Sequence, residues 1–137
     1  MTEADVREAI AAFAADWAAF DVDALLDHFA LPQIIYAEGA TSFFEDEAEV
    51  RANLDELVAL YRQHGVAGVS ATEVHVEPLP DGAARALVRW RLDDAAGTEL
   101  IAFKTVYTLV ADDDGEPAIV AIDADGEHLA WKAAGWR

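Results

Sequence analysis

Apolar positions in the first twenty residues recur at helical spacing. Val6, Ile10, Phe13, Trp17 and Phe20 are separated by four, three, four and three residues, one stripe of a helix over about 4–20. Asp21 or Asp23 can cap a second, shorter helix that buries Leu25, Leu26 and Phe29, and Pro32 prevents it from continuing. Gln33 to Ala37 then reads as a short strand broken at Glu38-Gly39, with Thr41 to Phe44 as a second short piece. Glu45, Asp46 and Glu47 favour a third helix N-terminus through the helix dipole. Val50, Leu54, Leu57, Val58 and Tyr61 give that helix its apolar face, and Gly65 after His64 ends it.

From Val66 the texture changes to short runs rich in β-branched residues. Asp81-Gly82, Asp94 to Gly97 and Asp112 to Gly115 can each turn the chain back. Four antiparallel strands are expected, at about 66–79, 84–93, 98–111 and 117–125, with no helix between them to allow parallel crossovers. In the second, Ala86, Val88, Trp90 and Leu92 alternate with Arg85, Arg89, Arg91 and Asp93, so one face is core and the other wet or at an interface. The third is apolar on both faces, Ile101, Phe103 and Tyr107 opposing Leu100, Ala102, Val106 and Val110, which suggests a partner subunit on the outer face. The expected fold is α+β, in the order α-α-β-α-β-β-β-β, with the three N-terminal helices packed in a curved antiparallel sheet.

Length and composition narrow the reading. At 137 residues and 54% hydrophobic the chain suits one domain, residues 1–137, with a single core. Nine basic residues against 27 acidic ones give a net charge of −18, which repels nucleic acid and anionic lipid, so neither is expected as a partner. That acidity fits either salt adaptation or simple solubility. No apolar run is long enough to span a bilayer and the N-terminus has no secretory pattern, so a cytoplasmic location is expected. The absence of cysteine excludes disulfides, thiolate metal sites and a cysteine nucleophile.

The W-x-x-x-D junction from Trp17 to Asp21, the segments LLDHFALP and KTVYTLVADDDG, and the order of elements resemble the nuclear-transport-factor-2-like superfamily. Within it the SnoaL-like branch is the nearest match. The resemblance covers essentially the whole chain. It implies a bent sheet wrapped around three helices as a cone-shaped barrel, an apolar pocket at the open end, and a homodimer through the sheet. It also implies a range of functions: polyketide cyclase, ketosteroid isomerase, dehydratase, epoxide hydrolase, or a non-catalytic domain that binds a hydrophobic ligand or a protein.

The relevant chemistry is proton transfer beside a carbonyl, which needs a carboxylate base and a donor to the developing oxyanion in a dry pocket. Asp123, in the run AIVAIDAD with Ile119 and Ala121 as expected same-face neighbours, matches the final-strand acid of the cyclases. The bland alternative is a solvated residue opening a closing turn with Asp125-Gly126. Tyr36 falls near the place where ketosteroid isomerases carry their catalytic aspartate, but a tyrosine is a poor base. It would serve as an oxyanion donor or a buried core hydroxyl, with Glu38 left to replace the base. His28, beside Phe29 on the second helix, is a candidate acid or base if it points into the cone.

Trp17, Phe13, Phe29, Trp90, Phe103 and Tyr107 would form the aromatic wall around a small hydrophobic ligand, or simply core. His64, His75 and His128 do not cluster, and Lys104 suits a pairing with an acid across the sheet or a place at a dimer interface. Neither metal nor cofactor is expected. Asp123, Asp125 and Gly126 lack the EF-hand spacing, with Ala134 where the glutamate would fall, and there is no H-E-x-x-H, G-x-S-x-G or phosphate-binding glycine loop.

Overall fold

The computed structural model describes residues 1–137. Helix α1 spans Glu3–Ala18, α2 Val22–Leu26 and α3 Glu47–Gln63. The strands are β1 Phe29–Ala37, β2 Ala40–Phe44, β3 Gly68–Pro78, β4 Ala84–Asp93, β5 Glu99–Ala111 and β6 Pro117–Asp123, and a fourth helix, α4, follows at Asp125–Ala134. The α+β class, the three N-terminal helices and the long meander are as the sequence predicts.

Local chemistry accounts for the helix starts. The Thr2 hydroxyl accepts from the Asp5 amide while Asp5 accepts from the Thr2 amide, a capping box that satisfies two free donors of α1. Asp21 and Asp46 cap α2 and α3 in the same sense, accepting from Ala24 and Glu49. Val6, Ile10, Phe13 and Trp17 are buried as the spacing requires, but α1 stops at Ala18. Phe20 has φ +50° and lies outside the helix, where the Arg62 guanidinium covers its ring.

Six strands form one sheet in the order β2-β1-β6-β5-β4-β3. The edges β2 and β3 do not pair with each other, so the sheet curls without closing into a barrel. One pairing departs from the expected antiparallel pattern: β1 runs parallel to β6, with Ile35 opposite Ile122 and Tyr36 opposite Asp123. The crossover between them consists of most of the chain, so the absence of helices within the meander gave no hint of it. Along β4, Ala86, Val88, Trp90 and Leu92 are buried, and on β5 Ile101, Phe103 and Tyr107 are buried while Leu100, Ala102, Val106 and Val110 are half-buried.

Two further expectations are corrected. Phe29 is the first residue of β1, not part of α2, because the chain becomes extended well before Pro32. Asp125-Gly126 opens a ten-residue helix and is not a closing turn, so the last strand ends at Asp123 and His128 is helical. No helix is long and apolar enough to cross a membrane.

Candidate functional site

A mostly apolar cavity of about 110 Å³ lies between the concave face of the sheet, α1, α3 and α4. Phe13 is the hub of its aromatic wall, meeting Trp17, Phe29, Trp90 and Tyr107 edge-on at centroid distances of 6.4, 5.8, 6.0 and 5.5 Å. Phe103 completes the set, so all six residues expected to form an aromatic wall do line this cavity.

The three residues expected to carry chemistry do not. Between Ile119 and Ala121 the register of β6 against β5 slips by one residue, a bulge at Val120 that reverses the in–out phase of the strand. Ile119, Ile122 and Ala124 therefore face inward, and Asp123 is exposed on the outer side beside Tyr36, itself 40% exposed. Asp123 Oδ1 accepts from the Asp125 amide at 3.1 Å and so helps to start α4. His28 does not reach the cavity: its Nε2 bonds Asp16 Oδ2 at 2.6 Å, tying the end of α2 to α1. These corrections share one cause: a side chain's direction after a bulge or a turn does not follow from simple alternation.

The acid that does line the cavity is Glu127, on the first turn of α4. Burial pushes its carboxyl up to about 7, against smaller opposing effects of the Tyr61 hydroxyl and the Arg137 guanidinium. The Tyr61 hydroxyl donates to Glu127 Oε2. Burial also raises the Tyr61 and Tyr107 hydroxyls above their ordinary value, so both stay protonated, and Trp90 Nε1 donates to Tyr107 Oη at 3.0 Å.

Two further polar side chains face the cavity from the sheet. Gln33, 1% exposed on β1, has no hydrogen-bond partner for Nε2, and Thr105, 2% exposed on β5, has none for Oγ1. A buried unpaired group of this kind costs about 1–3 kcal/mol, which a ligand or water in the cavity can relieve. Glu56 and Arg137 are exposed and mark the rim, with the Arg137 guanidinium 5.2 Å from the centre of the Trp131 ring. His128, also at the cavity, is pushed below its ordinary value chiefly by burial.

α4 seats Glu127 through contacts on two sides. Trp131 is 1% exposed against Tyr61, and a Cβ on Gly126 would collide with the backbone carbonyl of Lys104, so glycine permits the helix to approach β5. On the other side Lys132 pairs with Glu38 at 2.5 Å, and Asp125 Oδ1 accepts from the Glu38 amide at 2.6 Å. Glu38 is thus a tether between α4 and the β1–β2 turn. Signals for α4 were present in the sequence: acids at 125 and 127, Lys132 in the last turn, and Gly135 in the left-handed conformation that ends the helix.

A family described as NTF2-like protein (DUF6841) matches residues 3–126 of the chain. The chain belongs to that family. The NTF2-like match ends one residue before Glu127. Among solved structures, Aln2 from a Streptomyces species is similar at 16% identity and TM-score 0.71, covering 95% of this chain and 94% of that one. A Nostoc punctiforme protein of unknown function with a cystatin-like fold aligns at 12% identity and TM-score 0.68 over 88% of this chain and 87% of its own. A proposed ketosteroid isomerase from Shewanella frigidimarina aligns at 13% identity and TM-score 0.67 over 88% and 94%. At these identities the likeness is one of fold. No curated protein sequence matches this NTF2-like chain.

Proposed function

We propose that this protein is a cofactor-independent acid–base catalyst, an isomerase, cyclase or dehydratase, acting on a small hydrophobic carbonyl compound. The observation that carries this reading is the Glu127 carboxyl, half-buried in an apolar cavity, held by Tyr61 and shifted to about 7. A group titrating there is present in both protonation states near neutral pH, so it can remove a proton and return it. Glu127 thus takes the role the sequence suggested for Asp123.

The chemistry follows from the geometry. Tyr61 engages Oε2, which orients the carboxylate and leaves Oε1 for the substrate. Oε1 takes a proton from the carbon beside the carbonyl, the C–H pair becomes the C=C bond of an enolate as the C=O π pair moves onto oxygen, and Glu127 returns the proton to the same carbon or, where an enone gives a dienolate, to its γ-carbon. The aromatic wall excludes water and holds the carbon skeleton. The cavity is smaller than the roughly 150 Å³ engineered site that admits benzene, so the substrate is compact, about the size of one small ring.

The test is exchange of α-protons of cyclopentanone and cyclopentenone for deuterium in D₂O, followed by NMR. Wild-type protein should accelerate exchange, Glu127→Gln should lose about 10²-fold or more, and Asp123→Asn should retain wild-type rates. Binding without exchange would favour a non-catalytic ligand-binding domain. Exchange undiminished in Glu127→Gln would remove Glu127 from the mechanism.

A further inference from the structure

Gln33 is buried and its side-chain Nε2 donates to no group of the protein. It sits on β1 between β2 and β6, paired through its backbone and turned to the concave side, where the next inward residue, Ile35, is apolar. Its amide Nε2 is enclosed without a partner in the cavity that holds Glu127, and Thr105 presents a second unpaired polar atom to the same space. A hydrophobic side chain of similar size would suit a position that served packing alone.

We infer that Gln33 is a specificity-determining residue: its amide donates to the carbonyl oxygen of the ligand, so the cavity selects a compact, uncharged ketone or enone over a hydrocarbon of the same shape. A neutral ligand fits a cavity that already contains a carboxyl group, because a second negative charge would be repelled and poorly solvated there. A ketone supplies the single acceptor that the amide lacks, while its ring meets the aromatic wall. During proton removal by Glu127 the oxygen gains charge and its bond to Nε2–H strengthens, which makes the same contact useful beyond binding. This last step rests on the acid–base reading; the binding preference does not.

The test compares cyclopentanone with methylenecyclopentane, which has the same outline and no oxygen, by NMR titration of wild-type protein and of Gln33→Met. Wild-type protein should prefer the ketone by about tenfold or more, and Gln33→Met should abolish that preference while binding the hydrocarbon as before. Independently of the variant's folding, the Gln33 side-chain NH₂ resonances of wild-type protein should move on addition of the ketone and not of the hydrocarbon. Equal binding of the two compounds by wild-type protein, no binding of the ketone, or a preference that survives in Gln33→Met would overturn the inference. A Gln33-dependent ketone preference without α-proton exchange would leave it standing and sink the acid–base reading alone. Exchange that depends on Glu127, with equal binding of ketone and hydrocarbon by wild-type protein, would do the reverse.

Discussion

Replacing Glu127 by glutamine should make the protein more stable at alkaline pH and remove a specific pH dependence. Burial raises this carboxyl from 4.5 to about 7 in the folded protein, while in the unfolded chain it titrates near its ordinary value. The folded state therefore binds the proton more tightly. Its advantage is full below about pH 4.5 and is lost as pH rises through about 7. Between pH 5 and pH 8 the wild-type protein should lose about 2.5 kcal/mol from this group, trimmed toward 1 kcal/mol by solvent reaching the half-buried carboxylate. Glutamine cannot ionise and still offers an amide oxygen to the Tyr61 hydroxyl. Urea unfolding of both proteins at each pH gives the quantity needed, the difference between them, which cancels the repulsion among the other acids of a chain carrying −18. Parallel stability curves across this range would refute the reasoning, as would a Glu127 side-chain carbon that titrates near 4.5 by NMR.

Three other outcomes are expected. Tyr61→Phe removes a bond that holds the Glu127 carboxylate, so the Glu127 titration should move above about 7, read by the same NMR signal. Gly126→Ala places a methyl group against the Lys104 carbonyl and should cost about 1–3 kcal/mol in urea unfolding, with a change in Trp131 fluorescence as α4 shifts. The homodimer proposed from the half-buried apolar outer side of β5 should sediment at about twice the 14.8 kDa of one chain at micromolar concentration, and a monomer there would refute it.

The legible parts of the fold are those where one periodicity runs undisturbed. Val6 to Trp17 and Val50 to Tyr61 mark their helices because each buries one stripe, and Ala86 to Leu92 mark a strand whose alternate residues are buried. The aromatic wall was legible for the same reason, since inward-facing aromatics on these elements must converge. The acid that lines the cavity, Glu127, was not. One inserted residue at Val120 reverses the direction of Asp123, a change that leaves no mark in the pattern of apolar residues. Asp125-Gly126 has the same composition as the turns at Asp81 and Asp112, and what distinguishes it is the packing of Gly126 on β5, a contact between residues distant in sequence. The parallel pairing of β1 with β6 is likewise a long-range choice, fixed when Ile35 and Ile122 meet at the cavity.

The position of α4 after the last strand also has a bearing on synthesis. Every strand pairing in the sheet involves residues no later than Asp123, whereas the carboxyl assigned to proton transfer is at 127 and its aromatic support at 131. During translation the last strand is therefore synthesised before the segment that carries Glu127 and Trp131. Under the proposed acid–base role, a chain interrupted just past the sheet would keep every strand and lack the proposed base.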